Sequence, residues 1–139
     1  MNTAKIIRRL FLPLCMLLIQ SAWAQNAIEA LGVSQQGGDI VLKLTTSQPL
    51  AAEPASFSVA NPPRIAFDFP GVKNALGRNS QAVNEGDLRS VNLVQVGDRT
   101  RVVLNLKQVR KAVTRIEGMV LYITLGGVVS ATAAKAEQV

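Results

Sequence analysis

Downstream of residue 26 the chain alternates apolar and polar positions in short stretches, most of them closed by glycine or proline. In "DIVLKLTT" (39–46), Ile40, Leu42 and Leu44 fall on one side and Val41, Lys43 and Thr45 on the other. A period of two is that of a β-strand with one face buried. The preceding "SQQGGD" supplies Gly37 and Gly38 for a turn, and "AIEALGV" (27–33) is its predicted partner strand. "FSV" (57–59) lies between Pro54 and the pair Pro62-Pro63. Those residues lack N–H groups, which places this strand at a sheet edge or beside a turn. "RIAFDF" (64–69) follows and ends at Pro70-Gly71. "LRSVNLVQV" (88–96) and "TRVVLNL" (100–106) form one predicted hairpin, and "AVTRIE" with "MVLYITL" about Gly118 a second. In the last strand Met119, Leu121, Ile123 and Leu125 are expected to share one face. Residues 72–87 show neither period, so a helical turn or a functional loop is expected there. The pattern predicts an all-β fold of seven or eight short strands, an antiparallel sandwich or barrel.

Two of these strands carry the same polar decoration. Alternation turns Ile65, Phe67 and Phe69 inward, and Arg64, Ala66 and Asp68 outward. In "RVVLNL" (101–106), Val102, Leu104 and Leu106 turn inward, while Arg101, Val103 and Asn105 turn outward. Burial of one face therefore accounts for the arginines without invoking function. Two readings of the outward residues stay open. They make ordinary surface polar contacts, or they form a recognition surface in which planar guanidinium forks pair with carboxylates.

The ends of the chain change the composition that matters. Lys5, Arg8 and Arg9, an apolar stretch from Leu10 to Ile19, and Ala22-Trp23-Ala24 read as a secretory signal peptide spanning residues 1–24. Cys15 follows the bulky Leu14 where a lipid-attachment signal takes a small residue, so no lipid anchor is expected. Cleavage after Ala24 would remove three of the 15 basic and none of the nine acidic residues, lowering the net charge from +6 to +3. That balance requires no nucleic acid. Cleavage also removes the lone cysteine and the lone tryptophan. The remaining domain, residues 25–126, must then hold together by an apolar core without disulfides. Residues 127–139 are Ala-rich and are expected to be a flexible linker or tail.

Composition also narrows the chemistry. The chain contains no histidine. A zinc amidase or a Ser-His hydrolase would lack its usual ligands or base. A carboxylate pair for glycoside hydrolysis would have to come from Asp68, Glu85, Asp87 or Asp98, most of which sit beside turn glycines and read as solvated turn residues. No catalytic residue, metal ligand or cofactor is expected, and the chain is expected not to be an enzyme.

"NPPRIAFDFPG" followed by "LRSVNLVQVGDRTRVVLNL" resembles the AMIN domain, a module of bacterial cell-wall amidases and type IV pilus secretins. The likeness spans about residues 27–126 and is greater to the first periplasmic domain of the secretins. It implies a β-sandwich that displays the shared motifs on its two outer sheet faces, located in the periplasm, its parent secretin in the outer membrane. It also implies peptidoglycan as partner, with Arg64 and Asp68 in one motif copy, Arg101 and Asn105 in the other, and Arg89 between them as binding residues. Asn105 departs from the acid of the first copy. Arg99, beside them, joins the set. The arginines would hold stem-peptide carboxylates, and Asp68 and Asn105 would orient hydroxyls or amides. The alternative role is docking of other pilus-assembly proteins. Nothing in the chain matches the secretin channel, so any oligomeric state would come from such a region.

Overall fold

A computed structural model describes residues 23–128. The predicted leader up to residue 22, and the predicted tail from residue 129, lie outside the described residues. Ten strands occur in chain order: β1 (Asn26–Gln36), β2 (Asp39–Thr46), β3 (Ala55–Ala60), β4 (Pro63–Phe69), β5 (Val72–Asn74), β6 (Ser80–Glu85), β7 (Leu88–Val96), β8 (Arg99–Leu106), β9 (Arg110–Glu117) and β10 (Val120–Val128). They form two five-stranded sheets, ordered β5-β1-β2-β10-β9 and β3-β4-β8-β7-β6. Among the described residues only the β1–β5 pairing is parallel.

The expected all-β sandwich is present, with ten strands in place of seven or eight. The two additional strands come from residues 72–87, which hold β5 and β6 and no helical turn. These strands are short or irregular, which is why no period shows there. The predicted hairpins β1–β2, β7–β8 and β9–β10 all form, with Gly37, Gly97 and Gly118 at positive φ in their turns. β3 is an edge strand, as its flanking prolines predict.

The core lies between the sheets. Among the described residues, each sheet contributes nine side chains to it, so neither layer is merely a cover. Ile40, Leu42 and Leu44 of β2 face Phe67, Val102 and Leu104 of the second sheet within one cluster. Each such side chain stabilises the fold by roughly 1.5–3 kcal/mol relative to exposure. Among the described residues, no buried side-chain N or O atom lacks a hydrogen-bond partner. The buried Thr100 hydroxyl donates to the Val72 carbonyl at 2.6 Å, tying β8 to β5 across the sandwich.

Strict alternation fails at two bulges. Ile28 and Leu31, three residues apart, are both buried, because β1 shifts register between Ile28 and Ala30. Leu88 and Val91 repeat this in β7. Met119 is a correction to the shared face expected for the last strand. It precedes β10 in the turn and is half exposed, while Leu121, Ile123 and Leu125 are buried. Asp87 is a second correction, since it is no solvated turn residue. Its carboxylate accepts from Arg110 Nε at 2.7 Å, and Arg110 Nη1 donates to the Gly38 and Gly126 carbonyls at 3.0 Å each. One guanidinium thus joins three chain segments at one end of the sandwich.

Candidate functional site

β4 and β8 are adjacent antiparallel strands of the second sheet. The two arginine motifs therefore share one outer face, which corrects the expectation of one motif on each sheet. The register places Arg64 opposite Asn105, Ala66 opposite Val103 and Asp68 opposite Arg101. Equal spacing on antiparallel neighbours sets each arginine against the polar residue of the other copy. The pair Ala66–Val103 is the local centre of that arrangement.

The two ends of the arrangement differ. At one end Arg101 Nε and Nη2 donate to Asp68 Oδ1 and Oδ2 at 2.6 and 2.9 Å, a bidentate fork. The Arg101 hydrogen bond is the main cause that holds the Asp68 carboxyl below its ordinary pKa, and the positive charges of Arg101 and Arg99 add to it against some desolvation. The Arg101 guanidinium also lies 4.8 Å from the centroid of the Phe57 ring. Phe57 stands opposite Ala66, whose small side chain is buried between Phe57 and Val103. At the other end the partner is an amide. Asn105 Nδ2 donates instead to Ser90 Oγ of β7 at 3.0 Å. Among the described residues the Arg64 side chain makes no hydrogen bond or ion pair. Exchange of an acid for an amide leaves that guanidinium open to solvent.

The remaining predicted residues extend this face. Arg99 begins β8, two residues from Arg101, and its side chain has no hydrogen bond or ion pair among the described residues. It borders two hollows of about 470 and about 430 Å³. Arg89 sits in the β7 bulge, exposed and likewise unpaired among the described residues. From Arg64 to the level of Arg99 is about 20 Å along the strands, at roughly 3.3 Å per residue. Thus Arg64, Asp68, Arg99, Arg101 and Asn105 come together on β4 and β8, and Arg89 joins from the neighbouring strand.

Sequence reasoning missed the apolar part of this face. Phe57 and Val59 on β3, and Val94 and Val96 on β7, are exposed beside the arginines, Val96 at 71%. Their outward direction follows from the alternation of their strands, but their grouping depends on which strands are neighbours. The outer face of the first sheet carries another exposed cation–aromatic pair, with Arg115 at 5.0 Å from the Tyr122 ring centroid. It carries neither arginine motif.

The family model for the AMIN domain matches residues 28–125. The fimbrial assembly protein PilQ of Pseudomonas aeruginosa is 37% identical over 121 residues, which cover 86% of this chain and 17% of that protein. The chain thus corresponds to a minor part of that relative's length. No solved structure gives a significant match.

Proposed function

The chain belongs to the AMIN domain family, and on that premise we propose that it is a non-catalytic peptidoglycan-binding module of a type IV pilus secretin. In this role it holds the secretin to the cell wall from the periplasm and so supports pilus biogenesis. The observation that carries the reading is the half-closed charge arrangement on β4 and β8. Arg101 and Asp68 lock together, and Arg64 is left without a partner among the described residues. A guanidinium held on a rigid strand, with its fork free, suits the carboxylates of wall stem peptides. Arg89 and Arg99 add two further cations at the same face. Asp68 fixes Arg101, and Asn105 is tied to Ser90, so both shape the surface in addition to meeting ligand amides or hydroxyls.

Each contact is exposed and screened, so single-module affinity is modest, and an oligomeric parent raises it by avidity. The test is co-sedimentation of the purified protein with isolated sacculi. An Arg64→Ala/Arg89→Ala variant is expected to lose about fivefold or more in binding, with an unchanged circular dichroism spectrum. Unchanged pelleting by the folded variant would remove the arginine face from the role.

A second reading is docking of pilus-assembly proteins, favoured by the exposed Phe57, Val59, Val94 and Val96 on that face. Competition separates the two. Soluble muropeptides displace the protein from sacculi under the first reading and leave a protein complex intact under the second.

A further inference from the structure

The larger hollow beside Arg99 is built differently from the rest of the arginine face. It lies where the β2–β3 connection passes the ends of β4 and β8, and measures about 470 Å³, within the usual range for small-ligand sites. Leu50, Ala51, Ala52 and Pro54 line it together with Phe69 and Val72, two residues of the core. Its walls are therefore mostly apolar, with Ala51 and Ala52 among the small side chains. Its two acids are already engaged. Glu53 Oε2 accepts from the Thr114 hydroxyl at 3.0 Å, and both Asp68 oxygens are held by Arg101. Arg99 is the charged group of the hollow that remains unpaired among the described residues. The N–H groups of residues 50–53 make no hydrogen bond among the described residues, since ladder pairing of this segment begins at Ala55.

Apolar walls that include the small Ala51 and Ala52, together with a guanidinium and a run of amides that are unpaired among the described residues, call for a ligand with methyl groups, a carboxylate and peptide carbonyls. We propose that this hollow receives the free C-terminal end of an alanine-terminated peptide, with its carboxylate on Arg99 and its methyl groups against Ala51 and Ala52. The backbone of residues 50–53 then hydrogen-bonds the peptide groups, which a fatty acid could not supply. This rests on the wall-binding reading, which identifies the source as uncross-linked stem peptides ending in D-alanine. Binding here would select one end of the stem, while Arg64 and Arg89 act on other carboxylates.

The test follows backbone amide resonances of the full chain by NMR as N-acetyl-D-alanyl-D-alanine is added. Saturable shifts centred on residues 50–55 and Arg99 are expected. The C-terminal amide of the same probe is expected to bind at least about tenfold more weakly, as is the free acid to an Arg99→Gln variant. A bulky Ala52→Leu substitution that narrows the hollow should also weaken it, with Arg99 intact. Equal binding of the acid and amide probes, or no shift at millimolar probe, would overturn the proposal. Equal binding of the L,L form would overturn the assignment to stem peptides. Sacculus pelleting run in parallel keeps the two readings apart. Pelleting without probe binding overturns the hollow alone, and probe binding without pelleting supports the hollow while overturning the wall tether.

Discussion

Asp68 and Arg110 show how much a single side chain contributes in a domain without disulfides. Asp68 is held below its ordinary pKa chiefly by the hydrogen bond from Arg101. A carboxylate with a lowered folded pKa stabilises the fold fully above its unfolded value, and that contribution is lost as pH falls through the folded value. Urea unfolding should therefore find the parent more stable than Asp68→Asn at neutral pH, with the gap closing in strong acid. The gap is small, because Arg101 is 44% exposed and water screens the pair. Arg110 differs, with side-chain exposure of 13% against 15% for Asp87. Arg110→Ala leaves that carboxylate and the carbonyls of Gly38 and Gly126 without their donor. A loss of about 2–4 kcal/mol is expected in the same unfolding measurement.

Strands form here because alternation buries one face, but their irregularities decide the site. The bulge in β7 turns both Leu88 and Val91 inward and leaves Arg89 exposed between Leu88 and Ser90. The β6–β7 turn is as constrained. Gly86 has φ of 55°, and a Cβ there would meet Ile40 Cδ1 at 3.1 Å. Gly86→Ala is thus expected to cost about 1–2 kcal/mol, read as a lowered thermal midpoint, whereas most exposed substitutions on β6 would not register. β3 illustrates an edge strand whose outward residues Phe57 and Val59 remain uncovered. Phe57 is coupled to the charged face through Arg101, so a change on the edge reaches the arginine motif directly.

At the scale of the molecule, one apolar core joins two layers, and the second layer carries both arginine motifs on its outer side. Their charges are exposed, and the Debye length at physiological ionic strength is about 8 Å. Binding to sacculi is therefore expected to weaken by about fivefold from low salt to physiological salt, read from the pelleted fraction. A salt-independent interaction would point to the exposed valines and Phe57 as the contact.

Sequence alone determined that the chain is all-β, which residues of each regular strand turn inward, and where three hairpins fold back. Those properties are local, since alternation and turn chemistry are written within a few residues. It also marked Arg64, Asp68, Arg101 and Asn105 as a repeated outward motif. It missed β5 and β6, which are short or irregular, and the family resemblance placed the two motifs on different faces. Strand neighbours and register are non-local. The Asp68–Arg101 pair joins residues 33 positions apart, and the contact of Arg110 with Gly38 spans 72. Only the tertiary structure sets β4 against β8, and with that pairing closes one guanidinium onto an acid and leaves Arg64 and Arg99 without a side-chain partner among the described residues. The arginine face comes from strands that meet only when the second sheet assembles, and the hollow beside it also takes Val72 from the first sheet, so it forms only when the two sheets close over the core.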